Sequence, residues 1–190
     1  SNNVAIGYNA GGNATTALTD SVLVGYQAGS SGTQGTANVG IGYNALYTNT
    51  GDNNTGVGYN ALFANTSGTA NAAFGTFSLD ANTTGSSNTA FGYGTLTGCE
   101  AAEENTAVGR NAGLSITSGD NNVAIGARAL DATTSADGNT AVGKDALTDN
   151  TTGANNVAVG ENALANNTTA TANTAVGQNA LLTNTTGANL

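Results

Sequence analysis

The amino-acid sequence predicts an all-β fold, a parallel β-solenoid or β-roll of eleven coils of about 17 residues each. The first observation is a Gly that follows Val, Ile or Phe and recurs in steps of 18, 17, 16 and then seven times 17 residues. The second is a composition with 5% aromatic and 8% charged residues, rich in Asn, Thr, Gly and Ala. Without regular stacking, such a chain would bury too little apolar surface to offset its conformational entropy. We therefore interpret residues 1–190 as one tandem-repeat domain. The repeated Gly residues are Gly7, Gly25, Gly42, Gly58, Gly75, Gly92, Gly109, Gly126, Gly143, Gly160 and Gly177.

A short strand is predicted just before each of these anchor glycines. The residue preceding the Gly is always β-branched or aromatic, and the residue two positions earlier is Val, Thr or Ala, so both share one face of a strand. We expect this face to be the interior and the bulky column to be the core spine, with the Ala or Gly between the two columns on the opposite face. The spine residues are Ile6, Val24, Ile41, Val57, Phe74, Phe91, Val108, Ile125, Val142, Val159 and Val176.

The position after the anchor Gly is predicted to face water, because it accepts Tyr, Arg, Lys and Glu in different repeats. It carries a Tyr stripe in the first half of the chain. These exposed rings suit contacts with carbohydrate or protein, or they pack on adjacent coils or chains. The stripe consists of Tyr8, Tyr26, Tyr43, Tyr59 and Tyr93.

The rest of each repeat predicts a corner, a second short strand and a polar return. In the neighbouring Ala and Leu columns, typified by Ala146 and Leu147, strand alternation puts one side chain inside and the other outside. The segment N-T-T-G-A-N at 150–155 has the Gly and Asn residues typical of turns. Stacked Asn residues are expected to form amide ladders.

A single coil of this kind is thin, and its few Val, Ile or Leu residues barely offset the cost of ordering the chain. We therefore expect identical chains to associate side by side, with a homotrimer as the first choice and a small-residue column at the contact. The chain begins at SNNVAIG and stops at TTGANL without polar capping repeats. We expect the repeats to continue in a longer array, or copies to stack end to end into a filament.

The segments NNVAIGYNA at 2–10, NNVAIGARA at 121–129 and NTAVGKDA at 139–146 resemble the head repeats of trimeric autotransporter adhesins. The whole chain is also similar to tandem repeats of phage tail fibres and other surface fibres. The adhesin resemblance implies a left-handed parallel β-roll, three chains around one axis and a surface that binds host matrix or cells. The additional N-T-T-G turn departs from the adhesin pattern.

Composition argues against several classes of chemistry. The net charge of −9 disfavours nucleic acid, and no apolar run is long enough for membrane insertion. With no His and a lone Cys99, the chain offers neither a nucleophilic triad nor a Cys/His metal site, so we expect no catalytic residues, metal or cofactor. Glu103 and Glu104 are paired acids, interpreted as a solvated loop rather than a glycosidase pair. Asp residues in turns, including Asp52 and Asp120, form no repeated column that would indicate calcium.

The predicted function is a structural segment of an extracellular fibre, such as a phage tail fibre, bacterial surface filament or adhesin, located outside the cell, at its surface or on a virion. The chain is predicted not to be an enzyme. The alternative is an adhesin head that binds glycans or a host surface.

A third interpretation is ice binding, which rests on a column of Thr residues. Adjacent Thr pairs in turns, rather than a T-x-T pattern, count against it. This column contains Thr15, Thr33, Thr50, Thr66, Thr83, Thr117, Thr134, Thr151, Thr168 and Thr185.

Overall fold

A computed structural model describes residues 2–12, 18–31 and 33–190. It contains one sheet of eleven three-residue parallel strands, arranged in the order in which they occur along the chain. Equivalent residues of consecutive coils pair, as Ala73 does with Ala90, so every repeat lies directly over the next. The predicted parallel β-solenoid is confirmed. The strands are β1 (Val4–Ile6), β2 (Val22–Val24), β3 (Val39–Ile41), β4 (Thr55–Val57), β5 (Ala72–Phe74), β6 (Thr89–Phe91), β7 (Thr106–Val108), β8 (Val123–Ile125), β9 (Thr140–Val142), β10 (Val157–Val159) and β11 (Thr174–Val176).

The orientation of the strands is opposite to the expected one. In β2 to β11 the middle residue, Ala or Gly in every strand except for Leu23, is buried, and the two flanking residues point outward. The predicted core spine is therefore wrong for the single chain. Its members are intermediate or exposed on the outer face: Ile6, Val24, Ile41, Val57, Phe74, Phe91, Val108, Ile125, Val142, Val159 and Val176.

The narrowness of the coil explains this orientation. A Cβ added to Gly40 would lie 3.0 Å from Cδ2 of Leu23 and 3.3 Å from Cδ1 of Leu46. Leu46, from the Leu column of the same coil, already fills this space, so the strand contributes Ala or Gly. Leu23 is the exception, and its coil has Gly29 in place of the Leu. A Val, Ile or Phe at the middle position would overpack the core, which is why the bulky residues face outward.

The second predicted strand does not form among the described residues, and its Ala and Leu neighbours are both buried. Ala146 and Leu147 are 0% exposed. Leu147 has φ of 51°, in the left-handed region, and the other Leu residues of the column share this conformation. A left-handed residue interrupts the alternation of a strand, so two consecutive side chains can point the same way. This bend moves the Leu column into the core.

Coils that lack this Leu fill the space from another position. Gly113 takes the place of Leu in its coil, and a Cβ built there would lie 2.9 Å from Leu96 and 3.1 Å from Ile116. Ile116 is buried at a position where other coils have Asn, so an apolar side chain replaces the missing Leu volume. In the second coil, Leu23 similarly fills the space beside Gly29.

The anchor Gly residues are required by close stacking. Gly92 has φ of 141°, and a Cβ added to it would lie 2.7 Å from the carbonyl oxygen of Gly109 in the next coil. Only Gly combines this backbone conformation with such a close approach between coils.

Two ladders of buried Asn residues connect the coils, as predicted. In the pre-strand ladder, each backbone N–H donates to Oδ1 of the Asn in the preceding coil, at 2.8 Å for Asn54 and 3.0 Å for Asn88. Ser21 takes this role in the second coil, where its hydroxyl accepts from the N–H of Asn38. The pre-strand ladder contains Asn38, Asn54, Asn71, Asn88, Asn105, Asn122, Asn139, Asn156 and Asn173.

The second set, the turn ladder, joins the side-chain amides directly. Nδ2 of Asn82 donates to Oδ1 of Asn65 at 2.7 Å and to the carbonyl of Gly85 at 3.0 Å. Three successive coils interrupt it with Cys99, Ile116 and Thr133, and it then continues. Its Asn members are Asn49, Asn65, Asn82, Asn150, Asn167 and Asn184.

Candidate interaction surfaces

The outer face of the sheet carries two parallel columns of β-branched and aromatic side chains. One is the column predicted as the spine, with Ile41 40% exposed and Phe91 58% exposed. The other lies two residues earlier and includes Val39 and Val123, both partly exposed. With a rise of ~3.3 Å per residue and ~4.8 Å between strands, the face measures roughly 10 by 50 Å. Sequence reasoning missed this surface, because it assigned these residues to the interior.

The area of this outer sheet face bears on what it can do. Its total area, including the Thr residues of the second column, is roughly 500 Å², and the largest apolar patch on a monomeric protein typically covers ~300–600 Å². The strand backbone holds its side chains in two straight rows with a common spacing. Such a regular and uncharged surface can pack against another surface of the same kind, and the Thr hydroxyls of the second column, such as those of Thr89 and Thr174, then need hydrogen-bond partners.

The predicted Tyr stripe is present and faces solvent. Tyr8, Tyr26, Tyr43 and Tyr59 stack face to face, with ring centroids 4.9 to 5.1 Å apart and interplanar angles of 7° to 14°. The rings remain between 43% and 71% exposed, so stacking along the rod leaves their outer edges accessible. Tyr93 is 55% exposed and lies beyond the break at Thr76. Both the outward orientation and the packing on neighbouring coils were predicted.

No protein-family model, curated protein or solved structure matches the chain. The surfaces of the solenoid are therefore the basis for assigning a function.

The Thr column lies in the bends of the coils, as its Gly and Asn neighbours indicated. In seven of the described residues of this column the hydroxyl donates to the backbone carbonyl of the equivalent residue one coil further on, at 2.8 Å from Thr66 to Thr83 and 3.0 Å from Thr151 to Thr168. These hydroxyls thus reinforce the stacking of coils. Thr15 lies outside the described residues.

Two basic residues in consecutive coils, Arg128 and Lys144, belong to an ionic cluster. Asp145, whose side chain is 8% exposed, lies 2.6 Å from Arg128 and 2.9 Å from Lys144, and Lys144 also lies 3.4 Å from Glu161. Burial opposes ionisation of Asp145, but hydrogen bonds from Lys144 and Arg128 hold its pKa below the ordinary value. The hydrogen bond to Asp145, its negative charge and the hydrogen bond to Glu161 raise the pKa of Lys144. The cluster pairs its charges internally rather than presenting a free basic patch.

The acidic residues are more regular than the sequence suggested. Asp52, Asp120 and Asp137 occupy equivalent positions in three coils, but Asp does not recur at this position in the other coils. Their carboxylates accept backbone N–H groups of the preceding coil, at 2.8 Å from Asp120 to Asp137. Within the described ranges, no cluster of His, Cys, Asp or Glu could hold a metal ion. Glu103 and Glu104 are exposed on the return segment.

Cys99 takes the place of an Asn in the turn ladder. Its sulfur lies 3.8 Å from Oδ1 of Asn82 and 3.7 Å from the carbonyl of Ala102, which are the two acceptors that an Asn amide would contact. The side chain is 0% exposed, and burial raises the pKa of the thiol to about 12. This arrangement favours a structural role over a reactive thiolate.

In the part of the chain that the structure describes, no helix has the length and hydropathy needed to cross a membrane.

Proposed function

We propose that the chain is a rigid structural segment of an extracellular fibre, in which identical chains associate side by side through the outer sheet face. The observation that carries this proposal is the exposed outer sheet face, in which an apolar column that includes Ile41 and Ile125 runs beside a column of Val, Thr and Ala. Covering roughly 500 Å² of such a surface contributes up to about 10 kcal/mol, comparable with the ~4–15 kcal/mol cost of association. The same surface on other copies of the chain matches it in length and in the spacing of its rows.

The assembly we propose is a homotrimer, with the three outer sheet faces around one axis. The small-residue column expected at the contact is buried inside each coil, so the outer sheet face replaces it as the proposed interface. The continuous sheet and the two Asn ladders would make each chain resistant to bending, which is the mechanical property that a fibre at a cell or virion surface needs. End-to-end stacking of coils remains part of the proposal for the filament.

Charge placed on the outer sheet face tests this proposal. The variant Ile41→Lys/Ile125→Lys keeps the interior unchanged, because both side chains are already about 40% exposed. We expect the unsubstituted chain to sediment as a multimer at micromolar concentration and this variant to sediment as a monomer with the same circular dichroism. The matched control is Ala127→Lys/Gln178→Lys, in the column that already contains Arg110 and Lys144. A well-folded, monomeric unsubstituted chain would show that the outer sheet face is not an interface between copies.

The exposed Tyr stripe supports adhesion as a second function. Stacked rings with accessible edges suit the apolar faces of glycans or a host protein. Glycan-array binding that is lost in Tyr43→Ala/Tyr59→Ala would favour an adhesin head, whereas an inert assembly would favour a scaffold. Ice binding is less well supported, since the hydroxyl hydrogens of Thr66 and Thr151 are committed to backbone carbonyls. Thermal hysteresis of the purified chain distinguishes that alternative.

A further inference from the structure

The regular surface of the solenoid is interrupted where the Tyr stripe breaks. Thr76 replaces Tyr in this coil, and the ring of the next residue, Phe77, occupies the gap. Phe77 stands edge-on to Tyr59, with centroids 5.4 Å apart at 81°, and to Tyr93, at 6.1 Å and 85°. Nine of the other ten coils have a polar residue at the position of Phe77, such as Asn60 or Asn111. The substitution thus places a perpendicular aromatic wall on the side of the rod.

The following coil creates an opening against this wall. Gly94 has no side chain at the position where the adjacent coils carry Phe77 and Asn111. The result is a partly open cavity of about 320 Å³. This is within the range of small-molecule sites, which begins near ~300 Å³. We call it the Gly94 notch, and it is lined by Phe77, Tyr93, Gly94, Thr97, Asn111 and Leu114.

Polar groups at the notch have unused hydrogen-bonding capacity. Among the described contacts, the side-chain amide of Asn111 makes no hydrogen bond, so its donor and acceptor are both available. The Thr97 hydroxyl donates to the carbonyl of Phe77 at 3.2 Å, which leaves its oxygen free to accept. The arrangement combines an apolar wall with donors and acceptors at its edge.

We propose that the Gly94 notch binds a pyranose ring of a neutral sugar, with the C–H face of the ring against Phe77 and Tyr93. The sugar hydroxyls would donate to Thr97 and exchange hydrogen bonds with the Asn111 amide. A ligand with both an apolar face and several hydroxyls matches this lining, whereas an anion finds no cation in the lining. This site is separate from the outer sheet face and does not depend on the fibre assembly.

Titration with individual neutral monosaccharides, including glucose, galactose, mannose and N-acetylglucosamine, tests the proposal. Backbone amide resonances of Gly94, Thr97 and Asn111 should shift, with dissociation constants on the order of 1 mM, typical of weak complexes. The variant Gly94→Asn should fill the notch and weaken binding at least tenfold. It is expected to fold, because Gly94 has φ of 61° and the equivalent Asn60 and Asn111 have φ of 54° and 58°.

Two further variants separate loss of the site from loss of the fold. Phe77→Asn restores the residue type found at this position in other coils and should abolish the shifts without changing the circular dichroism. Asn162→Gly creates a gap without an aromatic wall in a distant coil, and the shifts at Gly94 should persist. The proposal is overturned if none of these sugars shifts the notch resonances, or if Gly94→Asn binds as well as the unsubstituted chain. Either result leaves the fibre proposal intact, because that proposal depends on sedimentation.

Discussion

Replacement of Asn88 by Ala should cost about 3–5 kcal/mol of stability, because it removes the centre of the pre-strand ladder. Nδ2 of Asn88 donates to the carbonyl of Ala102 at 2.7 Å, and its Oδ1 accepts the backbone N–H of Asn105 at 3.0 Å. The substitution leaves this N–H and this carbonyl buried without those partners. Each such group costs about 1–3 kcal/mol, and the lost contact with Asn71 adds to the total.

The assay is urea unfolding followed by far-ultraviolet circular dichroism, combined with hydrogen exchange at the Asn105 amide. The Asn105 amide should exchange faster in Asn88→Ala than in the unsubstituted chain. Asn166→Ala is the matched control, since Asn166 is exposed and equivalent positions in other coils carry Ala64 and Ala132. Its stability should stay within about 0.5 kcal/mol of the unsubstituted chain. If the two variants lost equal amounts of stability, the buried side-chain amide hydrogen bonds would not be what holds the coils together, and Asn content alone would matter.

Three further measurements examine stacking, burial and charge. In urea unfolding, Gly92→Ala should lower the stability of the chain by about 1–3 kcal/mol more than Gly177→Ala does. Both residues have positive φ, but only a Cβ at position 92 would overlap with backbone atoms of the next coil. The pKa of the Cys99 thiol is raised to about 12, so Cys99 should resist alkylation at pH 8 until urea unfolds the chain. Rapid labelling of the folded chain would contradict the burial of this side chain. Asp145→Asn should cost about 0.5–1 kcal/mol at pH 7. The pKa of Asp145 is lowered in the folded state, so this difference should be lost as the pH falls from 3.8 through the lowered pKa of the folded chain, and a difference that persists at still lower pH would rule out the ion pair as its cause.

Several elements of the fold could be predicted because they depend on residues close together in the sequence. The Tyr stripe follows the anchor Gly directly, and its mixture of Tyr43, Arg110 and Glu161 is acceptable only in contact with solvent. The amide ladders follow from Asn at one position in successive repeats. The Gly94 notch could have been suspected from Phe77 and Gly94, which both depart from the Asn that predominates at their position.

The sequence by itself determined the period, the parallel stacking of coils and the outward Tyr stripe, since equivalent residues 17 positions apart must meet if the repeats stack. It also determined that the two faces of each strand differ. Only the tertiary structure decided which face lies inside. The left-handed conformation of residues such as Leu147 turns the Leu column into the coil, and the space that remains opposite accommodates Ala or Gly but not Val. That choice depends on packing between distant parts of a coil, which the alternation of a strand does not specify.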